Sequence, residues 1–256
     1  MPGLNNGTGI RTAPVAGIVG GLGPLAGAHL YERFVRLTSA ETDQGHFSAV
    51  LLSWPFPSRI GHLSGVPGVE SPLPHLVAAT RSLQSLGCTV LALASATTHA
   101  YRVDIQERTG ATIVDGLRAA TRELSVRGAT RCVVFCTSPT RRQRLYEPSW
   151  PDDVELHYPT SAEQETLDRL ITAVKSGRTG PAEVNVLDEL IRRYRGRGFT
   201  SLLGCTELPL LWTPDGPDAT VVSITDAIAA AAIAAISAAF HRDGPVHGTC
   251  GEALPA

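Results

Sequence analysis

The sequence is poor in aromatic residues, which fill 5% of its 256 positions, and poorer still in lysine. Of its 22 basic residues, 21 are Arg and only Lys175 is Lys. Arg serves at most surface positions where Lys would, so a lone Lys is a candidate for a site that wants a compact ammonium. An excess of charge is also missing, the formal net charge being −2. Without a general basic field, neither nucleic acid nor an anionic membrane is expected as the main partner. The clusters at 141–144 and 192–195 read as solvated helix faces. The five cysteines (Cys88, Cys132, Cys136, Cys205, Cys250) are odd in number, and none is spaced C-x-x-C. No disulfide frame or structural zinc is expected, and a cytoplasmic location fits best. No apolar stretch follows a basic start, so residues 1–14 read as a flexible leader rather than a secretion signal. The most apolar run, 227–240, is 14 residues long, too short to span a bilayer. Following the capping pair Thr225-Asp226, it reads as a buried C-terminal helix. Residues 241–256 read as a loose tail.

What is present is an ordinary globular composition, 43% apolar and 18% charged, enough for one large domain or two small ones. Short apolar runs at 15–20, 48–53, 90–94, 132–135 and 201–203 read as buried strands, with less apolar candidates at 112–114, 154–157 and 220–222. Between them, apolar residues recur at helical spacing: Leu73, Leu76, Val77, Thr80 and Leu83; Leu167, Leu170, Ile171 and Val174; Leu187, Leu190, Ile191 and Tyr194. Strands alternating with helices imply parallel α/β sheets.

An internal repeat sharpens that reading. A strand at 15–20 leads through a small-residue loop to Pro24 and then Leu30-Tyr31-Glu32; a strand at 132–135 leads to Pro139 and Leu145-Tyr146-Glu147 at the same offsets, 115 residues later. Proline suits the first turn of a helix, so Tyr31 and Tyr146 read as packing residues on repeated helices. A second pair agrees: Gly87-Cys88-Thr89 opens a strand that runs out into Ser95, and Gly198-Phe199-Thr200 opens one that runs out into Cys205, 110 residues on. The fold expected is two similar α/β lobes related by a pseudo-two-fold: lobe 1 over 15–115, completed by the helix at 225–240, and lobe 2 over 116–224. Ligands bind at the carboxyl ends of strands in such sheets, so Ser95 and Cys205 would face each other across the cleft.

Leu203-Gly204-Cys205-Thr206-Glu207-Leu208-Pro209 is the sharpest local feature. Gly204 permits a tight bend, and backbone donors beside the thiol would favour the thiolate. A free thiol ionises near ~8.5, so a modestly electropositive setting would let Cys205 serve as acid or base near neutrality. Glu207 would position a substrate group or a proton. A single cysteine is otherwise a small buried hydrophobe.

These residues carry a resemblance. Gly20-Gly21-Leu22-Gly23-Pro24-Leu25-Ala26 is similar to G-G-M-G-P-L-A, Pro57-Ser58-Arg59 to P-D-R, Thr97-Thr98-His99 to the end of P-C-N-T-A-H, Val174-Lys175-Ser176-Gly177 to V-K-A-G, and Gly204-Cys205-Thr206-Glu207 to the second cysteine motif of one family. Over about residues 15–236 the chain resembles the cofactor-independent aspartate/glutamate racemase superfamily, its aspartate racemase branch in particular. That resemblance implies two cysteines exchanging the α-proton of an amino acid from opposite faces, with no pyridoxal phosphate, metal or other cofactor. It implies Cys205 as one acid/base, Arg59 and Lys175 as basic residues at a substrate carboxylate, and Thr97, Thr206 and Thr140 as donors to the other carboxylate, with Gly23 and Glu207 also lining the site. It also implies a small carboxylate or amino-acid substrate and a homodimer.

The departures matter equally. Ser95 stands where the family has its first cysteine, and Ala96 where it has a substrate-binding asparagine. A serine hydroxyl is a poor base without an activating partner. His99, four residues on, is a candidate activator or a structural histidine. Three functions stay open on these residues: an amino-acid racemase or epimerase with Ser95 as a weakened partner; a single-cysteine decarboxylase, lyase or cis–trans isomerase; and a specialised carboxylate-binding relative.

Overall fold

The computed structural model describes residues 14–212 and 218–242; the expected leader and tail lie almost wholly outside them. Each expected strand forms. β1 (Val15–Gly20), β2 (Ala49–Ser53), β3 (Cys88–Leu93) and β4 (Thr112–Ile113) make one parallel sheet in the order β2-β1-β3-β4. β5 (Arg131–Phe135), β6 (Glu155–His157), β7 (Thr200–Leu203) and β8 (Val221–Ser223) make a second, ordered β6-β5-β7-β8. Each half therefore winds its strands in the same sequence, as a duplicated α/β unit should. Ser95 follows β3 and Cys205 follows β7, equivalent strands of the two sheets.

The helices are α1 (Pro24–Leu37), α2 (Arg59–Leu63), α3 (Leu73–Ser85), α4 (Arg102–Thr109), α5 (Gly116–Val126), α6 (Ser138–Arg142), α7 (Ser161–Lys175), α8 (Pro181–Arg195) and α9 (Ile224–Arg242). Pro24 occupies the first turn of α1 as expected. The second copy departs from the first, because α6 is only five residues long and ends before Arg144, which adopts a left-handed φ of 52°. Tyr146 thus lies beyond the helix; it is fully buried, and its hydroxyl donates 2.8 Å to the Gly204 carbonyl. Tyr31, on α1, is exposed instead of packed.

Two outer cores hold each sheet to its own helices, one built on Leu76, Leu83, Leu93 and Ile105, the other on Phe135, Leu167, Leu187 and Leu203. A third core joins Ile18 and Val90 of the first sheet to Val134 and Leu202 of the second, through Leu117, Leu124 and Ile228. Helix α9 packs on α1, α5 and β3, with Ile224, Ile228, Ala229 and Ile236 fully buried. It is longer than its apolar run suggested, and by length and composition alone it is apolar enough to cross a membrane. Thr225 and Asp226 lie inside it rather than capping it; the Ser223 hydroxyl accepts the Asp226 N–H, and Asp226 itself pairs with Arg33.

Candidate active site

The ends of β3 and β7 meet. The Thr206 hydroxyl donates 3.2 Å to the carbonyl of Ala94, so the residues before Ser95 and after Cys205 are tied directly. Beyond Ser95 the chain tightens through buried Ala96 into a 3-10 turn at Thr97–Tyr101. There the Thr97 hydroxyl lies 2.8 Å from that of Thr140 and 3.2 Å from that of Thr137, which are 2.9 Å from each other. This triangle joins the two halves at the start of α6, where Thr137 also caps the helix by accepting the Thr140 N–H. Each hydroxyl has one proton to give, so three mutual bonds occupy the donors until a better acceptor opens the ring. Thr137 is absent from the sequence reading. Its signal was its place at the end of β5, the strand equivalent to β1.

On the first wall, Arg59 opens α2 and is buried, its Nε donating 2.8 Å to Ser95 Oγ. Burial pulls the guanidinium below its ordinary pKa, while Glu207, and then Cys205 and Tyr101, hold it up. Both ring nitrogens of His99 are engaged elsewhere. Nε2 accepts the Gly116 N–H at 3.1 Å, so Nδ1 carries the proton and donates to the Ser95 carbonyl at 3.0 Å. Burial lowers the pKa of this imidazole, which keeps it neutral. His99 thus fixes the backbone of Ser95 and leaves its hydroxyl alone, which is the structural of its two expected roles.

On the second wall, the Cys205 thiol donates to Glu207 Oε2 at 2.9 Å, and the Thr206 hydroxyl lies 3.4 Å from the same oxygen. Lys175, at the C-terminus of α7 before Gly177 turns with a φ of 83°, places Nζ 3.9 Å from Glu207 Oε1. The surroundings of Cys205 are the reverse of the electropositive setting expected. Burial, and next the Glu207 carboxylate, push its pKa well above the ordinary thiol value, and Lys175 only partly offsets them. The resting residue is a thiol. Gly23 packs against Glu207, since a Cβ there would stand 2.4 Å from Oε1. Of the two basic residues expected at a substrate carboxylate, Arg59 bonds to Ser95 and Lys175 pairs with Glu207.

A sequence model of the family described as Asp/Glu/Hydantoin racemase matches residues 19–235. Among solved structures, the chain is similar to Picrophilus torridus aspartate racemase (24% identity, 88% of this chain and 95% of that one, TM-score 0.76). An aspartate racemase homologue from Pyrococcus horikoshii OT3 matches at 20% identity over 88% of this chain and 100% of that one, with a TM-score of 0.68. Glutamate racemase from Thermus thermophilus matches at 18% identity over 91% and 82%, with a TM-score of 0.55. At these identities the likeness speaks for a common two-lobed fold.

Proposed function

The chain belongs to the Asp/Glu/Hydantoin racemase family, and we propose that it is a cofactor-independent racemase or epimerase acting at the α-carbon of an acidic or related carboxylate. One observation carries the reading: a buried thiol bonded to a carboxylate, Cys205 on Glu207, and a buried hydroxyl bonded to a guanidinium, Ser95 on Arg59, at strand ends joined by Thr206 and Ala94. Cys205 exchanges a proton with one face of the α-carbon. Ser95 serves the other face mainly as a donor, because a neighbouring guanidinium stabilises the oxygen once its proton has left. Arg59 and the hydroxyls of Thr97, Thr137 and Thr140 receive carboxylates. Fixed donors there stabilise the enolate-like charge that builds as the C–H bond breaks.

Incubating L- and D-aspartate and L- and D-glutamate with the protein in deuterated water, and following the α-proton by NMR, tests this. Exchange is expected from at least one enantiomer, and Cys205→Ala should abolish it. No exchange from any of the four sets the reading aside. A second reading, a single-cysteine decarboxylase, lyase or cis–trans isomerase, is favoured by the protonated resting state of Cys205, since protonating an enolate-like intermediate needs one donor only. In that case Ser95→Ala leaves much of the turnover, whereas racemisation should fall with either variant.

A further inference from the structure

Glu207 is fully buried, yet only one of its oxygens has a hydrogen-bond partner. Oε2 takes the Cys205 proton, while Oε1 has no hydrogen bond among the described residues. That second oxygen lies against Gly23 and, with Lys175, borders a cavity of about 300 Å³ between the start of α1 and the end of α7. Lys175 is 24% exposed, so the cavity leads outward. A buried carboxylate oxygen with an ammonium 3.9 Å away but no hydrogen bond is costly unless something uses it. The volume holds several waters, whose share of liquid volume is ~30 Å³ each.

We propose that Glu207 relays protons between Cys205 and solvent through this cavity, and that Gly23 is glycine because only the lack of a side chain leaves its carboxylate room there. The proposal rests on the acid/base reading of Cys205 given above. In the relay the Cys205 S–H bond breaks and an O–H bond forms at Glu207 Oε2; the thiolate takes the α-proton, breaking C–H and remaking S–H. On the other face the Ser95 O–H bond breaks as a new C–H bond forms at the α-carbon; Glu207 then gives its proton to water in the cavity and solvent returns one to the Ser95 oxygen, so the proton count closes over one turnover. Glu207 acts on the substrate only through Cys205, and Gly23 only through Glu207. The other ionisable groups that bear on the thiol are Lys175, Arg59 and Tyr146. Lys175 and Arg59, as cations, oppose the effect of Glu207 on the thiol. Tyr146, buried with its own pKa raised well above the ordinary value, stays neutral.

The test has two arms. In protein labelled with ¹³C at cysteine Cβ, and with Cys205 assigned through Cys205→Ala, the thiol of Glu207→Gln and of Gly23→Ala should titrate at lower pH than in the wild type. An unchanged titration overturns the thiol–carboxylate coupling whether or not any substrate is turned over. In the second arm Glu207→Ala should slow α-proton exchange by about 100-fold or more, the usual scale of general acid–base assistance, and added formate should restore it in proportion to its concentration. A slow variant that formate leaves slow, while circular dichroism shows it folded, overturns the relay. Wild-type protein that exchanges no α-proton removes the reaction reading and the relay with it, leaving the titration to judge the pair alone.

Discussion

A lone lysine in an arginine-rich chain proves to be half of a charge pair with a buried carboxylate, Nζ standing 3.9 Å from Glu207 Oε1. A helix C-terminus would accept any cation, so its place at the end of α7 does not distinguish Lys from Arg. The buried carboxylate does, because a planar guanidinium needs more room and a different approach than an ammonium. Because the resemblance also implies Lys175 at a substrate carboxylate, Lys175→Arg is expected to leave the fold intact and to impair ligand binding. A thermal-shift titration with aspartate, glutamate and their des-amino analogues reads both, since ligand binding raises the melting temperature of the native state. Undiminished ligand shifts in the variant would return Lys175 to the role of a helix-end cation. At this scale the sequence exposed residues that stand out chemically: Arg59, Ser95, Cys205 and Lys175. It did not expose pairings made by tertiary approach. Glu207 was visible two residues from Cys205, but its bond to the thiol depends on the 3-10 turn that follows β7, and Thr137 enters the site only because β5 ends beside the Thr97 turn.

Helix α7 shows how one side chain sets an element. Thr160 and Glu163 form a reciprocal capping box, and the same Glu163 carboxylate takes hydrogen bonds from Tyr194 and Arg193 of α8. Burial works against the charged form. The hydrogen bonds from Thr160, Tyr194 and Arg193 outweigh it and bring the pKa to about 2 from an ordinary value of 4.5. A depressed carboxylate pKa contributes stability that is full above the unfolded value and disappears as pH falls through the folded one. Glu163→Gln should thus lower the unfolding free energy by about 1–2 kcal/mol at pH 7, allowing for solvent screening of the Arg193 partner. Denaturant unfolding at a series of pH values should show the gap closing between about pH 4.5 and pH 2. A gap independent of pH would mean that only the cap geometry matters. Helical spacing revealed α7 and α8 themselves, because their apolar faces are long and regular. The early end of α6 was not legible: Gln143-Arg144 carries no helix-breaking residue, and the positive φ of Arg144 comes from the turn that delivers Tyr146 to Gly204.

Across the whole molecule, the duplication was legible because strand and turn chemistry repeat at nearly fixed offset, and the matching strand orders of the two sheets follow from it. What the repeat could not show is that the lobes share a core. Ile228 of α9 packs where Gly116 begins α5, a Cβ on that glycine coming within 2.4 Å of Ile228 Cγ1. Gly116 in turn donates to His99, which donates to the Ser95 carbonyl. Helix α9 thus supports the first residue of the lobe-connecting helix and, through it, the backbone of the site. Ile228→Ala removes three carbons from a fully buried position and is expected to cost about 2–5 kcal/mol, as large-to-small changes in packed cores do. Because the shared core contains residues of both sheets, the loss should appear as one lowered calorimetric transition rather than as a separate early melting of lobe 1. Two resolved transitions in the variant would mean that α9 belongs to lobe 1 alone, and that the lobes are coupled only through the polar contacts at Thr206 and the threonine triangle.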